Sequence, residues 1–155
     1  MSITLKKAKF ENCPEIYDLQ IKSFRPLLEK YQDYDFSPGA ESIERTYERF
    51  NQSFTDFWMI ALGEKNIGVI RICDLGEICK LKQIFLLPAY QNHGYAQEAI
   101  KAVEAKYPYA RRWELDTILQ EAKLCYLYEK MGYRKTGQSK NIKDGMDLVY
   151  YERIR

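Results

Sequence analysis

Apolar and polar residues change their spacing several times along the chain, and each change marks a predicted element. Residues 3–10 partly alternate and predict a strand. Asn12 is placed to cap a following helix, which Pro26 is expected to end or kink. Ser37-Pro38 is expected to start a second helix, because apolar residues recur at helical spacing after it. The first third of the chain therefore predicts one strand and two helices.

The middle of the chain has the shorter period of β-strands. Candidate strands cover residues 57–62, 67–73 and 78–87, with glycine-containing turns between them. In the third strand the alternation breaks at Lys82-Gln83, where the apolar set changes phase. A β-bulge produces such a break, and so does a strand end that is buried on both faces. The pattern leaves both interpretations open.

The second half of the chain mixes both periods. Helical spacing runs from Ala96 to Tyr107, a strand is expected over 113–117, and a further helix ends near Gly132. Two closing strands are predicted at 133–136 and 146–153. The predicted order is β-α-α-β-β-β-α-β-α-β-β, which defines a mixed α/β domain.

Composition narrows the class of protein. The 155 residues suit a single domain over residues 1–155, and the net charge of +2 gives no reason to expect nucleic acid or an acidic membrane as a partner. No apolar run is long enough to span a bilayer, and the N-terminus lacks the apolar stretch of a signal peptide, so a cytoplasmic location is expected. The four cysteines lack metal-ligand spacing, which favours buried free thiols and no metal site.

The most informative segment is a strand, a short turn and a helix over residues 84–96. The first N–H groups of a helix have no partner within the helix, and the helix dipole adds positive charge there. A phosphate group can bind at such an end, and Gly94 lets the backbone approach it closely. A single glycine in a strand-helix turn also has a purely steric explanation, so the segment alone is weak evidence.

Two motifs in this half resemble those of the GCN5-related N-acetyltransferase (GNAT) family. Leu86-x-Pro88 and Gln91-x-x-Gly94-x-Ala96 are similar to its acetyl-CoA signature, and Leu127 to Tyr133 (Leu-Tyr-Glu-Lys-Met-Gly-Tyr) is similar to its second conserved block. Tyr95 stands where an aliphatic residue is usual, and Glu121 stands where the family often has asparagine. The order of elements resembles the family over nearly the whole chain, whereas the specific motifs cover about residues 84–133.

The resemblance implies a GNAT-like domain with a central mixed sheet of about six or seven strands flanked by about four helices. It also implies acetyl-CoA as cosubstrate, with the pantetheine arm beside the backbone of Ile84 and Leu86 and the pyrophosphate on the turn, and the Leu86 N–H facing the reacting oxygen. The residues that it assigns to cofactor binding are Ile84, Leu86, Gln91, Asn92, His93, Gly94, Tyr95, Ala96, Gln97 and Glu121.

The resemblance further implies direct acetyl transfer to an amine, with Tyr128 as the acid that protonates the departing thiolate. Tyr128 also lies on an apolar helix face, so a purely structural role is the competing interpretation. Glu77 and Asp116 are candidates for the base, although an exposed structural charge is the favoured interpretation of each of them. His93 is expected to contact phosphate through its backbone rather than to act as a base.

Acceptor binding is expected from the segment after the first strand. Phe24, Leu27 and Tyr31 are the predicted acceptor-binding residues, in a cluster that also contains Tyr34, Phe36, Glu29, Asp33 and Asp35. This mixture suits a cationic amine, either a small molecule or a peptide, and an ordinary amphipathic surface explains it as well. A homodimer is compatible with the resemblance, without an interface signal in the sequence. The alternatives are transfer of a longer acyl group, acylation of an oxygen, and a non-catalytic acyl-CoA-binding or sensor module of the same fold.

Overall fold

The computed structural model describes residues 2–155, and within them seven strands form one mixed sheet with helices on both faces. The strands are β1 (Ile3–Lys7), β2 (Thr55–Leu62), β3 (Lys65–Asp74), β4 (Ile78–Leu86), β5 (Arg112–Ile118), β6 (Arg134–Lys143) and β7 (Met146–Ile154). The helices are α1 (Cys13–Tyr31), α2 (Ile43–Phe50), α3 (Tyr95–Glu104) and α4 (Ala122–Lys130), with 3₁₀ turns at Phe10–Asn12, Pro38–Ala40 and Pro88–Tyr90.

The strand order is β1-β2-β3-β4-β5-β7-β6. Every neighbouring pair is antiparallel except β4 and β5, which are parallel. A parallel pair needs a crossover connection, and α3 supplies it between β4 and β5. The predicted mixed α/β class and order of elements are confirmed.

Two apolar cores hold the layers together. On one face α1 packs against the sheet through Ile16 and Leu19, which meet Phe57, Val69 and Phe85. On the other face α3 and α4 cover a larger core. That core includes Ile70, Ile72, Leu81, Ala99, Ile100, Val103, Trp113, Leu115 and Tyr128. Because β3 and β4 contribute to both cores, the centre of the sheet is buried on both sides.

The structure corrects two predicted helix boundaries. Pro26 was expected to end or kink the first helix, and it does not end it, because Pro26 lies inside α1. Proline removes one backbone hydrogen bond, but Leu28 beyond it packs on Gly39, where an added Cβ would lie 3.3 Å from the Leu28 Cβ. The helix expected from Ser37 is split, because Ser37 begins only a 3₁₀ turn and Ser42 precedes α2.

Of the two interpretations of the phase break in β4, the structure supports the β-bulge. The register between β3 and β4 shifts where Arg71 pairs with Gln83 but Ile72 pairs with Leu81, which leaves Lys82 as the extra residue. On its other side β4 pairs with β5 only over Ile78–Lys80, opposite residues 112–114. Beyond Lys80 the two strands are not paired, and a gap opens in the middle of the sheet.

Three further observations concern the cysteines, the helices and the possible metal ligands. Cys13, Cys73, Cys79 and Cys125 are buried free thiols, as expected. Across residues 2–155 no helix combines the length and apolar character needed to cross a membrane. In the same part of the chain no three His, Cys, Asp or Glu side chains are grouped so that they could hold a metal ion.

Candidate active site

The gap between β4 and β5 is the entrance to a cavity of about 1020 Å³. This volume lies at the upper end of the range for small-molecule sites. One wall is β4 from Leu81 to Leu86 with the turn that follows it, and the other is β5 from Asp116 to Ile118 with the start of α4. The second half of α1 closes one end of the cavity. Because α1 and α4 lie on opposite faces of the sheet, the cavity passes from one face to the other.

The backbone of β4 presents unpaired groups to this cavity. The Leu87 N–H donates to the Ile67 carbonyl at 2.8 Å, which makes Gly68 and Leu86 a non-hydrogen-bonded pair of the antiparallel ladder. The N–H and C=O of Leu86 therefore point away from β3, and those of Ile84, two residues earlier, do the same. The Gln91 amide donates to the Leu86 carbonyl at 3.0 Å. At Leu86 the N–H thus remains without a partner, whereas the carbonyl already accepts one hydrogen bond.

The turn before α3 presents a second set of unpaired donors. Gly94 has a φ of 81°, and Asn92 also has a positive φ, of 63°. The N–H groups of residues 92–97 find no acceptor within residues 2–155, and Glu98 is the first whose N–H is satisfied, by the Gly94 carbonyl at 3.2 Å. A Cβ at Gly94 would meet nothing within 4 Å, so the space in front of these donors is open. The end of α3 thus fits an anionic diphosphate.

The structure brings together nearly all the residues predicted to bind the cofactor. Those that line the cavity are Ile84, Leu86, Gln91, Asn92, Gly94, Tyr95, Ala96, Gln97 and Glu121. His93 is exposed and outside the lining, with its ring stacked on Tyr95 at 5.7 Å and its Nδ1 2.7 Å from the Gln91 carbonyl oxygen. These contacts hold the His93 ring on the outer side of the turn, away from the cavity lining.

Glu121 has partners that the sequence did not predict. Its Oε2 accepts hydrogen bonds from Lys30 Nζ at 2.6 Å and from the Tyr31 hydroxyl at 2.5 Å. Burial alone raises the pKa of Glu121, but the bonds from Lys30 and Tyr31 outweigh it, and the pKa lies below its usual value. Lys143 of β6 donates to the Tyr31 carbonyl at 2.7 Å. Together these contacts connect α1 with the start of α4 and with the last hairpin.

Tyr128 is buried, with 5% exposure, and also lines the cavity. Its ring packs on Tyr133 and Tyr151, whose hydroxyls donate to Glu104 at 2.8 Å and to Glu129 at 2.6 Å. No group within residues 2–155 bonds to the Tyr128 hydroxyl in this way. Burial raises the pKa of Tyr128, and the negative charge of Asp116 raises it further. Tyr128 is thus a protonated, uncommitted hydroxyl inside the cavity.

The structure separates the two candidate bases. Glu77 lies in the turn between β3 and β4, is exposed and pairs with Arg111 at 3.5 Å, outside the cavity. Asp116 lines the cavity on β5 and keeps its contact with solvent through the open cleft. The surrounding protein reduces its solvation and raises the pKa of Asp116, while Lys82 and Lys80 partly oppose this rise. Among the candidates from the sequence, only Asp116 is placed to take a proton here.

The acceptor side of the cavity contains the three predicted residues and two that sequence analysis did not single out. Phe24, Leu27 and Tyr31 line it from α1. Asp33 and Ser23 also line it, each with 5% exposure. Asp33 was one of several acids in a cluster, and Ser23 carried no signal, because burial of a polar group follows from tertiary packing. Tyr34 does not contribute to the lining and is exposed.

Comparison with known proteins identifies the class. The sequence model described as "Acetyltransferase (GNAT) domain" matches residues 8–154, and the chain belongs to this family. A relative, the uncharacterized protein YrkN of Bacillus subtilis (strain 168), is 27% identical over 135 residues, covering 84% of this chain and 72% of YrkN.

Two solved structures show how well the fold is shared. The ribosomal-protein-S18-alanine N-acetyltransferase of Escherichia coli superposes with a TM-score of 0.79 at 13% identity, over 98% of this chain and 93% of its own. A GNAT family acetyltransferase from Elizabethkingia anophelis with acetyl-CoA bound superposes with a TM-score of 0.70 at 18% identity, over 99% of both chains. At such identities the likeness establishes the fold, and the chemistry must be argued from this chain.

Proposed function

We propose that this protein is an acetyl-CoA-dependent N-acetyltransferase that transfers an acetyl group directly to a primary amine. One arrangement carries the proposal: the unpaired edge of β4 leads straight into the free N–H groups that open α3, beside the uncommitted hydroxyl of Tyr128. The first part suits an extended amide-containing arm, the second suits a diphosphate, and the third suits a thiol leaving group. The acetyl-CoA in the Elizabethkingia relative supports this choice of donor.

The donor is held mainly by backbone. Ile84 and Leu86 offer main-chain groups to the pantetheine arm, as a further strand would, and the N–H groups of residues 92–97 face the pyrophosphate. The free N–H of Leu86 is the donor available to the thioester oxygen as negative charge develops on it. Gln91 contributes indirectly by occupying the Leu86 carbonyl.

Transfer needs two proton movements. The amine nitrogen forms a bond to the acetyl carbon, the carbon–sulfur bond breaks, the nitrogen loses a proton to Asp116, and the leaving sulfur gains one from Tyr128. Charge couples the two steps, because ionised Asp116 raises the pKa of Tyr128. Once Asp116 is neutral this contribution vanishes, and Tyr128 becomes a stronger acid as the thiolate departs. Return of the proton from Asp116 to Tyr128 restores both groups.

The test is release of free thiol from acetyl-CoA with a panel of primary amines, together with mass spectrometry of the amine products. We expect thiol release that depends on the amine and an added acetyl group on nitrogen. Calorimetry with coenzyme A runs in parallel. Binding without turnover for any amine would favour the acyl-CoA-binding module, and turnover only with alcohols or longer acyl donors would favour the other enzymatic alternatives. Absence of binding would refute the whole assignment.

A further inference from the structure

The β4 wall of the cavity contains an amide side chain that is held from behind. Gln83 of β4 pairs directly with Arg71 of β3, and Arg71 Nε donates to Gln83 Oε1 at 3.2 Å. Arg71 lies two residues from Val69 and Gln83 two residues from Phe85, both in the core under α1, so the two side chains point to that face of the sheet. Gln83 lines the cavity, and Arg71 holds it from the side away from the gap, because β3 lies beyond β4.

An arginine can hold this amide in only one orientation. A guanidinium group donates hydrogen bonds and accepts none, so the Gln83 atom that faces Arg71 must be the oxygen. Gln83 Nε2 is then turned away from Arg71 as a donor. It has no acceptor within residues 2–155, yet it is not among the fully buried unpaired atoms, which include Asp33 Oδ2 and Ser23 Oγ. Gln83 therefore presents a fixed and unused N–H donor at the cavity wall.

The burial of Arg71 has no explanation in a salt bridge. Its side chain is 7% exposed, and within residues 2–155 it forms one side-chain hydrogen bond, to Gln83, and no ion pair. Glu41 acts on its charge, but both carboxylate oxygens of Glu41 already accept from Arg49, at 2.7 and 2.6 Å. Burial lowers the pKa of Arg71 to about 10, which leaves it charged at neutral pH. A buried charge is kept mainly where another group compensates it, and here that group is the Gln83 amide.

The opposite wall of the cavity carries the proposed base. Asp116 follows Leu115, which belongs to the core under α3 and α4, so alternation along β5 turns Asp116 to the same face as Gln83. Burial raises the pKa of Asp116, and the positive charges of two lysines and of Arg71 oppose this rise. Both Asp116 and Gln83 line the cavity, from its two walls. An amine bound at Asp116 thus faces the Gln83 donor.

We propose that Gln83 determines acceptor specificity by donating to an oxygen that the acceptor carries close to its reacting amino group, and that Arg71 is the positioning residue that fixes this donor. The proposal rests on the proposed N-acetyltransferase function. A simple alkylamine offers the Gln83 N–H only the lone pair of the reacting nitrogen, which is needed for attack on the acetyl carbon. A neighbouring oxygen satisfies the donor and leaves that lone pair free.

The test uses pairs of amines that differ by one oxygen in place of a methylene group: 2-methoxyethylamine with butylamine, and 3-methoxypropylamine with pentylamine. The quantity measured with acetyl-CoA is the ether ratio, which is kcat/KM for the ether divided by kcat/KM for its alkylamine. The oxygen also makes the amine less basic, but this effect is the same for every variant, so ether ratios are compared between variants.

Gln83→Glu is the decisive variant. It replaces Nε2 by an oxygen and keeps the oxygen that Arg71 bonds, so the chain should fold as before. For the better ether we expect an ether ratio about fivefold lower than in the native chain, within the range of one hydrogen bond. Gln138→Glu is the matched control, because it makes the same change on the exposed strand β6 and should keep the native ratio. An ether ratio that Gln83→Glu leaves unchanged would overturn the proposal.

The role of Arg71 is tested through its dependence on Gln83. Arg71→Met should lower the ether ratio, because the released amide can turn either way, and Arg71→Lys should preserve it better, because lysine also only donates. In the Gln83→Glu background Arg71→Met should leave the ratio unchanged, since the two oxygens of a carboxylate are equivalent. An effect of Arg71→Met that persists in that background would overturn the positioning role.

A binding measurement separates failure of this inference from failure of the proposed function. With the chain saturated with coenzyme A, the better ether should raise the melting temperature more than its alkylamine does, and Gln83→Glu should lose this difference. If no amine is acetylated but the difference is present, the N-acetyltransferase function fails while the donor at Gln83 stands. If amines are acetylated and the ether ratio is the same with and without Gln83→Glu, the function stands and Gln83 does not contact the acceptor.

Discussion

The two halves of the seam between β4 and β5 show how this protein builds an active site from an ordinary sheet. In the first half, Ile78–Lys80 pairs with residues 112–114, and Glu114 forms ion pairs with Lys80 at 3.8 Å and with Arg112. In the second half the same strands are unpaired, and Asp116 and Leu86 face a cavity. The paired half satisfies its own polar groups, and the open half leaves them for a ligand.

The difference between the two halves shows that one part of this strand pair stabilises the fold and the other part serves the active site. A paired strand contributes hydrogen bonds and ion pairs that hold the sheet together, whereas an unpaired strand keeps donors available at a cost in stability. The bulge at Lys82 lies close to the point of separation. Substitutions in the open half should therefore affect chemistry, and matched substitutions in the closed half or the core should affect folding.

The largest effect is expected from Tyr128→Phe. Loss of the acid should lower kcat by about 10²–10⁴, while the melting temperature changes little because the hydroxyl has no partner in residues 2–155. Tyr133→Phe is the control, since it removes a hydroxyl that donates to Glu104 at 2.8 Å. That variant should be less stable and keep its kcat per folded molecule. Normal turnover by Tyr128→Phe would eliminate the acid role.

Asp116→Asn is expected to have the next largest effect, about a hundredfold in kcat. In the native chain kcat should fall as the pH drops through the raised pKa of Asp116, and the variant should lack this acidic limb. Because the folded pKa is raised, stability from protonated Asp116 is lost at neutral pH, so Asp116→Asn should melt slightly higher there. Glu114→Gln, in the closed half, should reduce stability without changing the pH profile. The opposite pattern would place the base elsewhere.

A smaller effect, on affinity, is expected from Gly94→Ala. A Cβ there would project into the open space before the α3 donors, and the positive φ of 81° adds backbone strain. We expect coenzyme A to bind about tenfold more weakly by calorimetry. Gly76→Ala imposes similar strain, with a φ of 89° and open space around it, in the turn before β4. If Gly76→Ala weakens coenzyme A binding as much as Gly94→Ala does, backbone strain rather than a lost contact explains the result.

The smallest effect concerns the bridge between α1 and α4. The lowered pKa of Glu121 means that its stabilisation is present above the unfolded pKa of about 4.3 and is lost as the pH falls through the folded pKa. Glu121→Gln should therefore lower the free energy of unfolding by about 1 kcal/mol or less at neutral pH. Urea titrations should show this difference disappear in acid. Asp18→Asn, which breaks an exposed pair with Lys22, should change stability less at every pH.

The sequence predicted elements where burial leaves a periodic pattern and failed where it does not. The bulge in β4 was visible as a phase change because Cys79 and Leu81 before it and Ile84 and Leu86 after it pack on the same core. β6 was predicted as only residues 133–136 but runs to Lys143, since it is an edge strand with nearly every residue exposed. Asp144-Gly145, a dipeptide typical of tight hairpins, was the missed signal for its length.

For the site, local and tertiary information divide in the same way. The turn at Gly94 and the position of Tyr128 follow from short motifs, because one backbone segment creates each of them. The hydrogen bond between Tyr31 and Glu121 joins residues 90 positions apart, and no local sequence pattern predicts it. Likewise, Asp33 is distinguished from its acidic neighbours only by the packing that isolates one of its oxygens.

The contact between Gln91 and Leu86 gives the open edge of β4 a direction. Because the Leu86 carbonyl already accepts the Gln91 amide while the Leu86 N–H has no partner, this residue favours a molecule that brings an oxygen to it over one that brings an N–H. A chain threaded backwards would present its groups in the wrong sequence. The Gln91 side chain thus favours one orientation of a ligand along β4, before any reacting atom is in place.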